Sequence, residues 1–274
     1  MGKRDVSRAS VYLLLAVAVA ATLLPIVWMV GTSLKPLGEV FTRPVEWIPR
    51  GFHPENYANA WQARPFGRYL LNSVLAAGAS TLVTLVLGSA AAYSFARYRY
   101  PGRNLLFLVV LATLMIPLEA IVIPLYLEIR TLGWVNSYLG LIVPTALAPI
   151  GVFILRQAML GVPQDYLDAG RIDGAGEVYI LTRILLPLIR PALVSVAIFT
   201  FTLTWNSYLW PLIAVNDDEL RTLPLGMALF ENQMIARYNE IMAVAVTGAL
   251  PLVLLFVVLQ RHFVEGVTAT GVRE

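Results

Sequence analysis

The sequence predicts an all-α membrane protein with six transmembrane helices, and three observations carry that prediction. Of the 274 residues, 58% are hydrophobic and 14% charged, with a mean hydropathy of +0.71. Soluble chains carry about 25% charged residues, so this chain has roughly half the usual supply of groups for facing water. Stretches without Asp, Glu, Lys or Arg run over 9–34, 69–96, 131–155, 191–216 and 241–260. Each reaches the ~20 residues that a helix rising ~1.5 Å per residue needs to cross ~30 Å of hydrocarbon. A sixth stretch, 104–127, is interrupted only by Glu119. An even number of crossings puts both termini on one side.

Composition also excludes several functions. There is no cysteine, hence no disulfide framework, thiolate metal site or cysteine nucleophile. The two histidines, His53 and His262, lie far apart, and the net charge of +3 is scattered, which is no footprint for nucleic acid.

Span one, about 11–33, follows Lys3, Arg4 and Arg8. Those residues also suit a cleaved signal peptide, but the apolar run continues through Trp28 and Val30, longer than a signal h-region, so an uncleaved anchor is expected. Trp28 then falls near the far interface. Span two, about 69–96, carries Gly78, Gly88, Ala90, Ala91 and Ala92, small residues suited to close helix packing. Span three, about 104–128, holds Pro117 and Pro124 on either side of Glu119; each proline removes a backbone hydrogen bond and can break the helix. Spans four to six occupy about 138–157, 191–214 and 240–260.

One transmembrane domain therefore fills 1–274. The outer loops, 34–68 and 215–238, are aromatic-rich in the first case (Trp47, Tyr57, Trp61, Phe66), with His53 as a structural residue; the inner loop covers 156–190. With both ends cytoplasmic, the inner segments hold twelve Lys and Arg against eight outside, and Arg97, Arg99 and Arg103 crowd one short inner turn. That is the bias expected of cytoplasmic segments. No Gly-x-x-x-x-Gly-Lys-Ser/Thr phosphate loop occurs, so any ATP used must be bound by another chain.

The inner loop is helical material lying outside the bilayer. Pro163 and Asp165 start a short helix, Gly174 supplies a positive-φ stop, and Glu177 to Leu186 form a second amphipathic piece that ends before Pro187. Within it, Asp168-Ala169-Gly170, Gly174 and Ile184-x-Leu186-Pro187 match in spacing the EAA loop of bacterial ABC-importer permeases. Asp168 replaces the usual Glu and Gly170 the usual Ala; the glycine loosens the helix by about 1 kcal/mol. Arg171-Ile172-Asp173-Gly174-Ala175 follows the form of the carbohydrate branch.

Other patches resemble the maltose-type permease. They are Tyr69-Leu-Leu-Asn72-Ser73, the segment Ala91 to Arg97, Ile116-Pro117 with Pro124-Leu-Tyr126, Trp205-Asn206 with Leu209-Trp210-Pro211-Leu212, and Gln260 to Thr268. The tail Thr270-Gly-Val-Arg-Glu274 departs from the family's ending.

The resemblance implies a type I ABC importer permease fold in a bacterial inner membrane. Its partners would be a second homologous permease, two ATP-binding-cassette subunits that hold ATP and Mg, an extracytoplasmic solute-binding protein, and the lipid bilayer. This chain itself would hold no cofactor and bind no nucleic acid. The inner loop, about 161–187, would couple to the ATPase through Asp168, Ala169, Gly170, Arg171, Asp173, Gly174, Ile184, Leu186 and Pro187, with Asp168, Arg171 and Asp173 as charged grips.

Three residues are candidates for the solute path. Glu119 is the one acidic residue well inside an apolar span; a charge at that depth costs about 2.5–3.5 kcal/mol, so it should face a wet cavity or a partner subunit. Trp205 can stack on a sugar ring and Asn206 can exchange hydrogen bonds with its hydroxyls; packing across helices is the competing role, and the interface belt is that of Trp210-Pro211. A proton-coupled secondary transporter using Glu119 would leave the inner loop without purpose. An ABC permease for glycerol phosphate would call for basic residues in the spans, which are nearly free of them.

Overall fold

The computed structural model describes residues 3–42, 44, 46–233 and 237–271. Among them every regular element is helical. The chain divides into two compact units, 1–67 with 226–251 and 68–225 with 252–274.

In the first unit, helix α1 (Lys3–Ser33) includes the apolar span Ser10–Ser33, with mean hydropathy 2.6 and nothing of its most apolar stretch buried within the chain. The carbonyls at its C-terminal end need donors, and Asn56, on α2 (Glu55–Ala63), supplies them: its amide donates to the Ser33 carbonyl at 2.9 Å and the Lys35 carbonyl at 2.8 Å. Asn239, on α14 (Tyr238–Gly271), donates to Asn56 Oδ1 at 3.0 Å and also reaches the Lys35 carbonyl. Lys35 is itself buried. Its ammonium donates to the Glu46 carbonyl and lies 4.8 Å from the Trp28 ring centre, so the charge is solvated by protein. Trp28 meets Trp47 edge-on at 5.8 Å, Tyr57 bonds Ser33 at 2.8 Å, and buried Phe66 meets Phe230 at 5.4 Å. The aromatics of the 34–68 segment therefore stabilise that segment itself. His53 pairs with Glu55 at 2.5 Å.

In the second unit α3 (Phe66–Arg97) is one unbroken crossing, while three further helix pairs are bent, two of them in the next two apolar runs and the third joining Glu177–Leu188 to Arg190–Trp205 at 84°. Together with α1 and the Tyr238–Gln260 part of α14, this makes three helices among the described residues long and apolar enough to cross a membrane, or up to six crossings when each bent pair counts as one.

Span three divides into α4 (Arg103–Ala112) and α5 (Leu118–Thr131), bent by 103°. Pro117 has no N–H and forces the residue before it out of the helical region; Ile116 sits at φ −90°, ψ 112°. Pro124 is carried inside α5. Span four divides into α6 (Tyr138–Ile142) and α7 (Pro149–Leu160), bent by 45°, with Ala148 extended before Pro149 in the same way. The opened backbone is closed by Thr84 of α3, whose hydroxyl donates to the Ala146 carbonyl at 2.8 Å and accepts from the Ala148 N–H at 3.1 Å.

The expected continuous span over 191–214 is instead two helices, α11 (Arg190–Trp205) and α12 (Leu209–Ala214). Asn206 ends the first by folding its side-chain amide back onto the Thr202 carbonyl at 2.9 Å. Trp210 is packed inside the chain: it is 1% exposed, and its indole N–H is shared between the carbonyls of Gly140 and Leu141 at 3.1 and 3.2 Å. It packs with Ala76, Val122, Ile129 and Ala214. At the other end of this unit a second core gathers Ala92 and Tyr93 of α3, Leu155 and Met159 of α7, and Leu167, Ile180 and Leu185 of the inner loop.

Candidate coupling surface and path residues

The inner loop opens with α8 (Asp165–Ile172). Asp165 and Asp168 lie in its first turn and Arg171 in its last, each sign at the helix end whose dipole favours it. Leu167 and Gly170 face inward, whereas Tyr166 and Ile172 are 55% and 86% exposed. Gly174, at φ +81°, turns the chain as the sequence predicts. Its N–H bonds the Arg171 carbonyl at 3.0 Å and the Ala175 N–H bonds the Gly170 carbonyl at 2.9 Å, the paired closure that fixes a helix end.

Glycine at 170 has a local reason: a methyl there would stand 2.6 Å from Ile184 Cδ1. Ile184 belongs to a π turn, Ile180–Leu185, between α9 (Glu177–Tyr179) and α10 (Leu186–Leu188). The second piece thus runs through Pro187 to Leu188 and does not stop before the proline. Widening the turn spares the helix the clash and the missing donor that Pro187 would bring to ordinary i→i−4 bonding; Leu186 N–H bonds Leu181 O, five residues back. An open cleft of about 560 Å³ lies among Gly170, Asp173, Gly174, Tyr179 and Ile184. Val178 and Tyr179, past the turn on α9, are exposed as well, so these apolar side chains and Asp173 share the loop's exposed surface with Asp165, Asp168 and Arg171.

The charged residues divide into two groups. Arg171 donates to Asp168 Oδ1 at 2.9 Å and to Glu177 Oε1 at 3.0 Å. Glu177 also accepts from the Tyr93 hydroxyl, and Asp168 from Gln164 at 3.1 Å. Arg97 donates to Gln164 Oε1 at 3.0 Å, to the Val162 carbonyl at 2.7 Å and to the Met159 carbonyl. The Arg171 guanidinium first, and the Tyr93 hydroxyl after it, hold the Glu177 carboxyl down at about 2. The contribution of that pairing is therefore present across the physiological range and is lost only as pH falls toward that value. Of the three expected grips, Asp168 and Arg171 are engaged within the chain. Asp173, among the described residues, has no side-chain partner.

The path candidates are dispersed. Glu119 is exposed in the first turn of α5, directly after the Ile116–Pro117 break. Trp205 is 4% exposed and stacked on Phe201, with ring centres 5.6 Å apart, so its face is already used in packing. Asn206 is exposed at the break that it caps. Thr84, which holds a break of the second unit in place, is absent from the residues the sequence singled out, and Tyr93 and Glu177 figure there only within the Ala91–Arg97 patch and the second amphipathic piece, with no bonding role. Of the expected C-terminal tail, residues 272–274 lie outside the described residues.

A family model described as the binding-protein-dependent transport system inner membrane component matches residues 84–268, which takes in the inner loop and every broken span. The chain belongs to this family. As a permease of that family it is a transporter subunit and not an enzyme. It is 34% identical over 252 residues to the arabinooligosaccharides transport system permease protein AraQ of Halalkalibacterium halodurans, covering 91% of this chain and 90% of the relative. It is 33% identical over 250 residues to the diacetylchitobiose uptake system permease protein NgcG of Streptomyces coelicolor, covering 90% and 82%. With the sn-glycerol-3-phosphate transport system permease protein UgpE of Yersinia pestis it shares 33% identity over 264 residues, 93% and 94% of the two chains. The permease also shares its fold with a chain in the crystal structure of a bacterial ABC transporter involved in the import of the acidic polysaccharide alginate, with a TM-score of 0.82 at 20% identity over 96% and 99% of the chains.

Proposed function

We propose that this permease is one of two transmembrane subunits of an ATP-driven importer of neutral mono- or oligosaccharides, with both termini cytoplasmic. A binding protein would deliver the sugar outside, and two ATPase subunits, which hold ATP and Mg, would drive the cycle from inside. The observation that carries the reading is the inner loop. It is a short helix closed at its end by Gly174 and followed by a second short helix, and together they present apolar Tyr166, Ile172, Val178 and Tyr179 beside Asp173 to solvent, a knob suited to a cleft on a partner. In water such a surface is costly to leave bare.

Sugar is favoured by two things: the named substrates of relatives such as the arabinooligosaccharide and diacetylchitobiose permeases, and the near absence of Lys and Arg from the apolar runs. The glycerol-3-phosphate relative keeps a phosphorylated solute as the second reading; a dianionic phosphate leaving water calls for cationic partners in the path. The test is ATP hydrolysis by the complex in lipid, with and without its binding protein, across a panel of sugars and glycerol 3-phosphate. Stimulation by a neutral sugar supports the reading, and stimulation by glycerol phosphate alone replaces the substrate. Failure of any ATPase subunit to co-purify, with proton-driven uptake by this chain alone that Glu119→Gln removes, would overturn it in favour of a secondary transporter.

A further inference from the structure

The bonds around α8 form a closed chain of side chains. It runs from Arg97 to Gln164 at 3.0 Å, Gln164 to Asp168 at 3.1 Å, Asp168 to Arg171 at 2.9 Å, Arg171 to Glu177 at 3.0 Å, and from Glu177 to the Tyr93 hydroxyl. Its two ends, Tyr93 and Arg97, are four residues apart on α3 and so lie on one face of that helix, one turn from each other. Arg97 also ties the Met159 and Val162 carbonyls, the end of α7 and the residues just past it, to the same point. Beneath the ring Leu167 packs with Ala92, Tyr93, Leu155 and Met159, all buried. The apolar contact gives adhesion and the ring gives direction, because a guanidinium held by two carboxylates resists rotation as a single point charge does not.

We propose that Asp168, Arg171 and Glu177 are positioning residues that strap the coupling helix to the inner end of span two, so that α8 and α3 move as one body when the ATPase pulls. Under this arrangement the partner meets Tyr166, Ile172, Val178, Tyr179 and Asp173, while the motif's charged pair, though exposed, is engaged in bonds within the chain. The covalent route from α8 forward to α11 contains the turn at Gly174 and the π turn at 180–185, both able to absorb a displacement, and the route back to α7 is the short 161–164 link; the strap joins α8 to α3 directly. The inference rests on the proposed docking of α8 to an ATPase.

The decisive measurement is solute imported per ATP hydrolysed, in proteoliposomes of the complete complex, for Tyr93→Phe, Arg171→Ala, Glu177→Ala and the exchanged pair Arg171→Glu with Glu177→Arg. Tyr93→Phe deletes one hydroxyl and leaves the ring core packed, so complex assembly and basal hydrolysis should match the wild type. The strap predicts that import per ATP falls about fivefold or more in each alanine variant, the lower end of ordinary coupling between distant sites. It predicts a smaller fall in Tyr93→Phe and recovery of most of the loss in the exchanged pair. A spin label at Ile172→Cys, in a chain that has no other cysteine, should gain mobility in Arg171→Ala before any ATPase is added. Loss of ATPase co-purification in Arg171→Ala, with label mobility unchanged, would overturn the proposal by showing that Arg171 faces the partner. Unchanged import per ATP in all four variants would also overturn it. A wild-type chain that recruits no ATPase would instead remove the underlying docking reading, a distinct result.

Discussion

Replacing Thr84 by Val should loosen span four without changing its shape. Thr84 is fully buried, and its hydroxyl both donates to Ala146 O at 2.8 Å and accepts from Ala148 N at 3.1 Å. Val keeps the branching and nearly the volume but removes both bonds, stranding one N–H and one carbonyl where no water substitutes. Hydrogen bonds between membrane helices are worth about 0.6 kcal/mol on average and up to ~1.7. Unpaired buried groups cost ~1–3 kcal/mol each in soluble proteins. Two such losses give about 1–3 kcal/mol, which at ~2–4 °C per kcal/mol lowers the unfolding midpoint by roughly 2–12 °C. Thermal unfolding of the purified chain in nanodiscs reads this directly. Thr84→Ser is the control: it keeps the hydroxyl and deletes a methyl, so its loss should stay near 0.8 kcal/mol. A Val variant as stable as the wild type beside a destabilised Ser variant would mean that packing, not the hydroxyl, holds the break, and the reasoning would fail.

Gly151→Ala should cost about 1–3 kcal/mol by overpacking, since its methyl would lie 2.6 Å from Thr84 Cγ2 and 3.1 Å from Val196 Cγ1; the same melting assay checks it. At Gly174 a methyl meets nothing within 4 Å, so Gly174→Ala isolates the cost of φ +81°, about 1–2 kcal/mol. Hydrogen exchange in α8 should quicken at least fivefold. Ile172→Asp, at a side chain 86% exposed, should leave the melting point unchanged yet weaken ATPase recruitment by roughly tenfold or more, the worth of one buried aliphatic side chain at ~1.5–3 kcal/mol; pull-down titration measures it, and wild-type recruitment would mean that the knob is not the docking surface.

The crossings were legible because the bilayer penalises charge, and stretches such as 69–96 and 241–260 show that penalty as plain absence. The break at Pro117 was equally readable, since proline acts on its own neighbour; Pro124, expected to break the same span, is carried inside α5, and the break before Pro149 was not singled out. The break at Asn206 was not readable: Asn206-Ser207-Tyr208 contains neither Gly nor Pro, and it opens because an amide prefers its own backbone to the next turn. The π turn escaped notice because Pro187 can end a helix as readily as be passed by a widened turn, and nothing in the local pattern separates the two. For the site, motif spacing located the loop and its stop at Gly174 correctly. It did not reveal that Arg171 turns to Glu177, nor that Glu177 meets a tyrosine 84 residues away, because partners of long charged side chains are chosen by the assembled fold.

The break in span four also imposes an order on biogenesis. An insertion machine samples 131–155 as one apolar segment and has no reason to reject it, yet the finished crossing exposes a backbone donor and acceptor to lipid until Thr84 arrives. Thr84 precedes Ala146 by 62 residues, several seconds of synthesis at ~5–20 residues per second. The hydroxyl is therefore resident in the bilayer before the opening it fills has been made, and the vulnerable interval is only the time α7 needs to find a neighbour already in place. A rearranged gene that placed span two after span four would encode the same contacts but reverse that sequence of events, leaving the opening to wait for its stopper in the company of lipids and quality-control proteases.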